Sequence, residues 1–180
     1  DLLDEFPGEA VRLALLKTHY RQPLDFRKEG IREAKKELDD FYLALRNAGV
    51  KADVPDTIAQ TVLAALGDDL NTPKAIAHLF ELKSKLNAAT DEAQKARLKG
   101  ELLLAGDLLG LLSQDPETWL RGDDKSAGGL LDGDIDALIE QRKQARANKD
   151  FATSDRVRDE LAQHGIILED RTHGTTWRRQ

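Results

Sequence analysis

Apolar residues recur every three or four positions through most of this chain, and that spacing predicts helices. The cleanest stripe runs Phe26, Ile31, Ala34, Leu38, Phe41, Tyr42 and Leu45, with Lys, Arg, Glu and Asp filling the opposite side. Asp25 is placed to cap that helix, and Asn47-Ala48-Gly49 to stop it. Ahead of it, Val11, Leu13, Ala14, Leu15 and Leu16 form the apolar side of a short helix that Pro23 ends. Behind it, Ile58, Val62, Ala65 and Leu66 mark a helix over residues 55–66. The run Asp68-Asp69-Leu70-Asn71-Thr72-Pro73 then breaks the chain. Thr72 is a good N-cap there, and Pro73 a good first helical residue, where its missing N–H costs nothing. Ile76, Leu79, Phe80, Leu82 and Leu86 belong to the next helix. Leu98, Leu102, Leu103, Ala105, Leu109 and Leu112 belong to a long one over residues 91–112. Helices with one apolar face each and short connections fold most economically as an antiparallel bundle.

The pattern changes near residue 121. Residues 121–133 are rich in glycine and charge with little periodicity, and read as a linker. Two short helices follow, over 134–147 and 151–163, separated by Asn148-Lys149-Asp150, with Gly165 placed to end the second. Residues 166–170 and 175–178 read as strands joined by Arg171-Thr172-His173-Gly174. A lone hairpin is marginal in water, so it should pack on the helix pair as a small α+β module.

Composition narrows the functions. With 180 residues, 40% hydrophobic, 33% charged and 5% aromatic, a mainly helical chain of one ordinary or two small domains is expected. A net charge of −6 excludes attachment to nucleic acid by bulk basicity, although one small patch can still make a specific contact. The absence of Cys excludes disulfides and thiolate metal sites, and fits a reducing cytosol. No apolar run approaches the ~20 residues that span a bilayer, so no membrane segment is expected. The opening DLLDEFPGEA carries no initiator Met, which leads us to expect a piece of a longer protein.

Conventional catalytic motifs are missing from the sequence: there is no glycine-rich phosphate loop, no His pair at metal spacing and no nucleophile elbow. His19, His78, His164 and His173 are scattered, and each is expected at the surface or at a cap. Asp68, Asp69 and Asn71 are better read as helix-boundary residues than as a metal loop, because the glycine and distal glutamate of a calcium loop are absent. The last fifty residues are more suggestive. Arg142, Lys143, Arg146, Lys149, Arg156 and Arg158 crowd the two short helices, and Arg171, Arg178 and Arg179 flank the hairpin. Interleaved carboxylates allow a solvated face laced with i,i+4 pairs. The competing reading is recognition of single-stranded RNA. Splayed bases need aromatic or guanidinium planes for stacking, and carboxylates to accept from cytosine or adenine amino groups. Phe151 and Trp177 supply the first, Asp155 and Asp170 the second. Trp177 is also the natural core anchor of so small a module.

Three stretches resemble one family. GEAVRLALLKTHYRQPLDF is similar to the segment that follows the KMSKS-bearing loop in cysteinyl-tRNA synthetases. DDLNTPKAI resembles an element of that family's helical domain, and QRKQARANKDFATSDRVRDELAQHGIILEDRTHGTTWRR resembles its anticodon-binding terminus. The resemblance implies a mainly α chain: an antiparallel DALR-type bundle followed by an α+β module of two helices and a β-hairpin. It divides the chain into a stem-contact region at 1–30, the bundle at 31–120, the linker at 121–133 and an anticodon-binding module at 134–180. It implies tRNA-Cys as partner, with Arg146 at the first base of the GCA anticodon, Asp155 at the middle cytosine and Asp170 at the final adenine. Phe151 stands where relatives often carry Trp, so it retains stacking but offers no indole N–H. Arg171, in the turn, also departs from the family pattern. Arg142, Trp177, Arg178 and Arg179 are additional candidate contacts. The full enzyme of this family ligates cysteine to tRNA using ATP and carries zinc. This segment, lacking those signatures, is expected to hold neither and to be non-catalytic, within a monomeric cytoplasmic parent. Two alternatives stand beside this reading: a mycothiol-pathway ligase joining cysteine to an amino sugar, and a stand-alone helical interaction module. The ordered matches count against both.

Overall fold

The computed structural model describes residues 2–55, 60–122, 130–171 and 174–179. In chain order the elements are α1 (Leu2–Glu5), α2 (Gly8–Leu16), α3 (Lys28–Asn47), α4 (Gln60–Gly67), α5 (Thr72–Ala88), α6 (Glu92–Asp107), α7 (Pro116–Arg121), α8 (Asp132–Ala147), α9 (Phe151–Gln163), β1 (Ile166–Arg171) and β2 (Gly174–Arg179). The chain divides into two compact units, Asp1–Pro116 and Glu117–Gln180. The expected class, a helical bundle followed by a small α+β module, is what forms.

In the first unit α2 packs on α3, and α5 packs on α2, α3, α4 and α6. The predicted stripe of α3 is buried from Ile31 through Ala34, Leu38, Phe41 and Tyr42 to Leu45. The Phe41 ring meets Phe80 of α5 at 4.8 Å, and the Lys83 ammonium sits over both rings. Such stacking of a cation on aromatic faces adds to the area buried. Gly49 ends α3 in the left-handed region at φ 66°, a conformation that glycine reaches without a steric penalty.

Several boundaries differ from expectation. Asp25 does not cap α3; Arg27 holds the N-cap position, and Asp25 accepts from its Nε at 2.7 Å. Phe26 therefore lies outside the helix and is exposed. The first apolar helix stops at Leu16, well before Pro23, because the following residues reach elsewhere. The Tyr20 hydroxyl and Arg21 donate to the Asp69 carboxylate at 2.6 and 2.9 Å, and His19 Nε2 lies 3.0 Å from the Asp69 carbonyl. Asn71, not Thr72, caps α5: its side-chain oxygen accepts from Lys74 N at 3.1 Å, while Pro73 takes its place in the first turn. The long helix expected over 91–112 begins where Asp91 caps Gln94 N at 2.8 Å, but ends at Asp107. There Leu111 N returns to the Gly106 carbonyl, and Gly110 and Leu112 adopt positive φ. Leu109 and Leu112 are buried all the same, delivered by a turn instead of a helix. Ile58 lies outside the described residues, whereas Val62 and Ala65 are buried as predicted.

Two tight contacts were not foreseen. Glu9 is buried and bridges distant segments: the Tyr42 hydroxyl donates to one carboxylate oxygen at 2.8 Å, and Leu112 N donates to the other. Burial pushes the Tyr42 hydroxyl pKa up, and Gln114 N donates to the same oxygen at 3.2 Å. At Gly100 a Cβ would fall 1.9 Å from the Asp53 carbonyl oxygen, so α6 admits the 50–54 segment only because that side chain is absent.

In the second unit α8 packs on α9, and α9 on β1. α8 begins at Asp132, two residues ahead of its expected start, and Asp150 caps α9 by accepting from Thr153 N at 3.1 Å. Gly165, at φ 72°, ends the turn after α9. Ile135, Val157, Leu161, Ile166 and Trp177 make the core, with Leu130, Leu138, Ile139 and Leu168 packed against it. The strands are antiparallel, pairing Ile166 with Arg179, Leu168 with Trp177 and Asp170 with Thr175. The turn residues Thr172 and His173 lie outside the described residues.

Candidate nucleic-acid interface

Two periodicities meet in the second unit. Alternate strand residues share a face, so Ile166, Leu168 and Asp170 line up on β1 opposite Arg179, Trp177 and Thr175 on β2. Residues three and four apart share a face of a helix, so Ile135, Leu138, Ile139, Arg142 and Arg146 form one stripe of α8. On β1 and on α8 the row is apolar at one end, where it builds the core, and polar at the other. The polar ends meet. Arg142 grips Asp170 with both terminal nitrogens, Nη1 to Oδ1 at 2.9 Å and Nη2 to Oδ2 at 3.0 Å. Arg146 Nη1 reaches Oδ2 at 3.2 Å, and the Thr175 hydroxyl donates to Oδ1 at 2.7 Å.

The two guanidiniums differ in setting: the Arg142 side chain is 11% exposed, and that of Arg146 is 54% exposed. Bonds from Arg142 and then Thr175 hold the Asp170 carboxyl well below the usual carboxylate range, and the same pairing raises the Arg142 pKa. Asp155, on α9, adds a favourable field at Arg142 and pairs with Arg158 at 3.3 Å. Phe151 opens α9 one turn before Asp155 on the same helical face, and is 64% exposed. The structure thus gathers Arg142, Arg146, Asp170 and Thr175, with Asp155 within electrostatic reach. It leaves an aromatic ring in solvent on α9.

The other candidates are placed differently. Trp177 is only 3% exposed and donates its indole N–H to Asp136 at 2.8 Å. Arg179 stacks on the Trp177 ring from one side of the module's core and donates to the Arg121 and Leu130 carbonyls and the Asp132 carboxylate. Both are committed to holding the module together, and each has little exposed surface. Arg178 sits on the opposite face of the hairpin, donating to Glu169 at 3.2 Å. Thr175, Asp136 and Asp132 escaped the sequence reading. Only the strand register could have singled out Thr175, by placing it opposite Asp170.

Zinc does not fit the donors present: the sequence has no Cys, and among the described residues no group of three or more His, Asp or Glu converges. Asp69 and Asn71 spend their side chains on Tyr20, Arg21 and the α5 cap. Among the described residues no helix is long and apolar enough to cross a membrane.

The model of the DALR domain matches residues 61–113, and that of the cysteinyl-tRNA ligase anticodon binding domain matches residues 129–178. The cysteine–tRNA ligase of Rhodospirillum rubrum is 51% identical over 179 residues, covering 99% of this chain and 39% of that protein. Those of Paramagnetospirillum magneticum and Rhodospirillum centenum are 51% and 52% identical, with the same 99% and 39% coverage. The chain therefore spans about two fifths of the length of these relatives, all of them named as cysteine–tRNA ligases instead of amino-sugar ligases or interaction modules. With both domain models matched in order and half the residues identical across nearly the whole chain, this protein carries a DALR domain and a cysteinyl-tRNA ligase anticodon binding domain, and is similar to the part of the cysteine–tRNA ligases that holds them.

Proposed function

We propose that the second unit reads the GCA anticodon of tRNA-Cys, and that the first unit, as stem-contact region and bundle, lies against the body of the same tRNA. The observation that carries this reading is the pairing of the Asp170 carboxylate with the more than half-exposed Arg146 guanidinium at the end of the hairpin, together with the exposed Phe151 ring on α9. Each residue matches a demand of a splayed base. Phe151 offers a stacking face; Asp155 accepts from the cytosine amino group; Asp170 accepts from that of adenine; Arg146 donates to the guanine O6 and N7 edge. Mixed charge supports base reading over phosphate binding alone, since a phosphate site gains nothing from two aspartates.

In this reading the longer protein ligates cysteine to tRNA-Cys. ATP binding and zinc belong to the part of the relatives that this chain does not span, and the protein works as a monomer in the cytoplasm. The test is binding of this chain to tRNA-Cys transcripts with the GCA anticodon and with single substitutions, at one salt concentration. Preference for GCA is expected. Asp155→Ala and Asp170→Ala should each weaken cognate binding by about 1–3 kcal/mol and relax discrimination at one base. Equal affinity for every transcript would reduce the contact to electrostatics, and unchanged discrimination in both variants would overturn the residue assignment.

A further inference from the structure

Asp170 has no acceptor position to spare. An ionised carboxylate offers about four lone-pair sites, and four donors occupy them: Arg142 Nη1 and the Thr175 hydroxyl on Oδ1, Arg142 Nη2 and Arg146 Nη1 on Oδ2. A base amino group that donates here must displace one of the four. Arg142 is poorly suited to leave, because it grips both oxygens as a fork and its side chain is nearly buried at the end of the core seam. Removing its partner would strand a guanidinium with little access to water. Thr175 is held opposite Asp170 by the strand register. Arg146 makes the longest of the four bonds, at 3.2 Å, to one oxygen only, from a side chain more than half exposed. An exposed pair of this kind gives up little on separating, since water replaces the bond.

We propose that Arg146 is a displaceable donor that gates Asp170, so that the base which draws Arg146 away and the base which donates to Asp170 bind cooperatively. This rests on the reading above, with Arg146 at the first anticodon base and Asp170 at the third, and adds that the two positions are not read independently. With the correct first base, the guanidinium leaves Asp170 and opens an acceptor site for the third. With a wrong first base it stays, and the third base meets a carboxylate already filled. Discrimination at one position thereby depends on the other, without contact between the two bases.

The test is a four-transcript cycle of tRNA-Cys with anticodons GCA, CCA, GCG and CCG, titrated against this chain at fixed salt and repeated with Arg146→Ala. Guanine at the third position presents a carbonyl where adenine presents its amino group, so it removes the donor to Asp170. In the unsubstituted chain the third-base change should weaken binding about tenfold beside a first-position G, and by about threefold or less beside a first-position C. In Arg146→Ala the third-base ratio should be the same in both backgrounds, because no donor is left to return. An unchanged urea midpoint would establish that this exposed substitution leaves the module folded. Equal third-base ratios in the unsubstituted chain, with GCA still preferred, would overturn the gate and leave base reading intact. Equal binding of all four transcripts would overturn both.

Discussion

The two units solve the same stability problem with different margins. In the first, burial is spread over α2 to α6, from Leu13 and Leu38 through Phe41 and Val62 to Leu79 and Leu102, and the buried Glu9 carboxylate ties Tyr42, 33 residues away, to Leu112, 103 residues away. In the second, among the described residues, one cluster of five buried side chains joins α8, α9 and the hairpin, and Trp177 is the largest of them. A small module with so small a core cluster has little to lose before it unfolds. The two units also differ in where they place their polar groups. The bundle closes its polar bridge inside, whereas the small module leaves its charged cluster at the open end of the seam, where a ligand can compete for it.

The sharpest way to break this contrast is Trp177→Ala. It should cost about 3–5 kcal/mol, enough to unfold the second unit while the bundle stays folded. Both tryptophans of the chain, Trp119 and Trp177, lie in the second unit. Trp119 fluorescence therefore reports that loss, and far-UV ellipticity reports the remaining helix. A single transition shared by both signals would show that the units do not unfold separately. Tyr42→Phe tests the first unit more gently. It removes a donor to Glu9 and the acceptor for Gln114 N, and should cost about 1–3 kcal/mol in urea unfolding. A loss below experimental error would mean that the bridge is dispensable.

Acid sharpens the picture of the charged cluster. The Asp170 pKa is lower in the folded state than the ~3.9 of an unfolded chain. The unfolded state therefore binds the proton more readily, and the contribution of this group is complete above about pH 5 and lost progressively as pH falls. Stability of the second unit should fall less steeply from pH 5 to pH 3 in Asp170→Asn than in the unsubstituted chain. Parallel slopes would mean that the Arg142 fork adds nothing to folding. The smallest effect is expected on the bundle surface, where Glu101→Gln removes the i,i+4 pair with Arg97. That change should stay near 0.3–0.5 kcal/mol, and vanish at high salt.

Much of this architecture was legible without coordinates, for a specific reason. The stripe of α3, the stop at Gly49, the Asn148-Lys149-Asp150 break and the end at Gly165 depend on neighbours within about four residues, which the sequence displays directly. Among the site residues, the chemistry of Arg146, Phe151, Asp155 and Asp170 was readable as residue types, and their arrangement was not. Nothing local distinguishes the Arg142 that clamps Asp170 from the Arg178 on the opposite hairpin face, or marks Arg179 as buried. Misplaced caps have the same origin: Asp25 and Thr72 are good capping residues, but the chain around them turns toward Arg27 and Asn71.

By itself, then, the sequence determined the helix periodicity, the hairpin, the resemblance to one family and the set of groups able to meet a base. Tertiary structure alone decided that Glu9 would be buried beneath Tyr42, that Gly100 would admit the Asp53 backbone, and that four donors would fill the Asp170 carboxylate. Each of those depends on segments distant along the chain being packed to within a few tenths of an ångström. Residue type limits what a side chain can do there, and close packing selects which partner it finds.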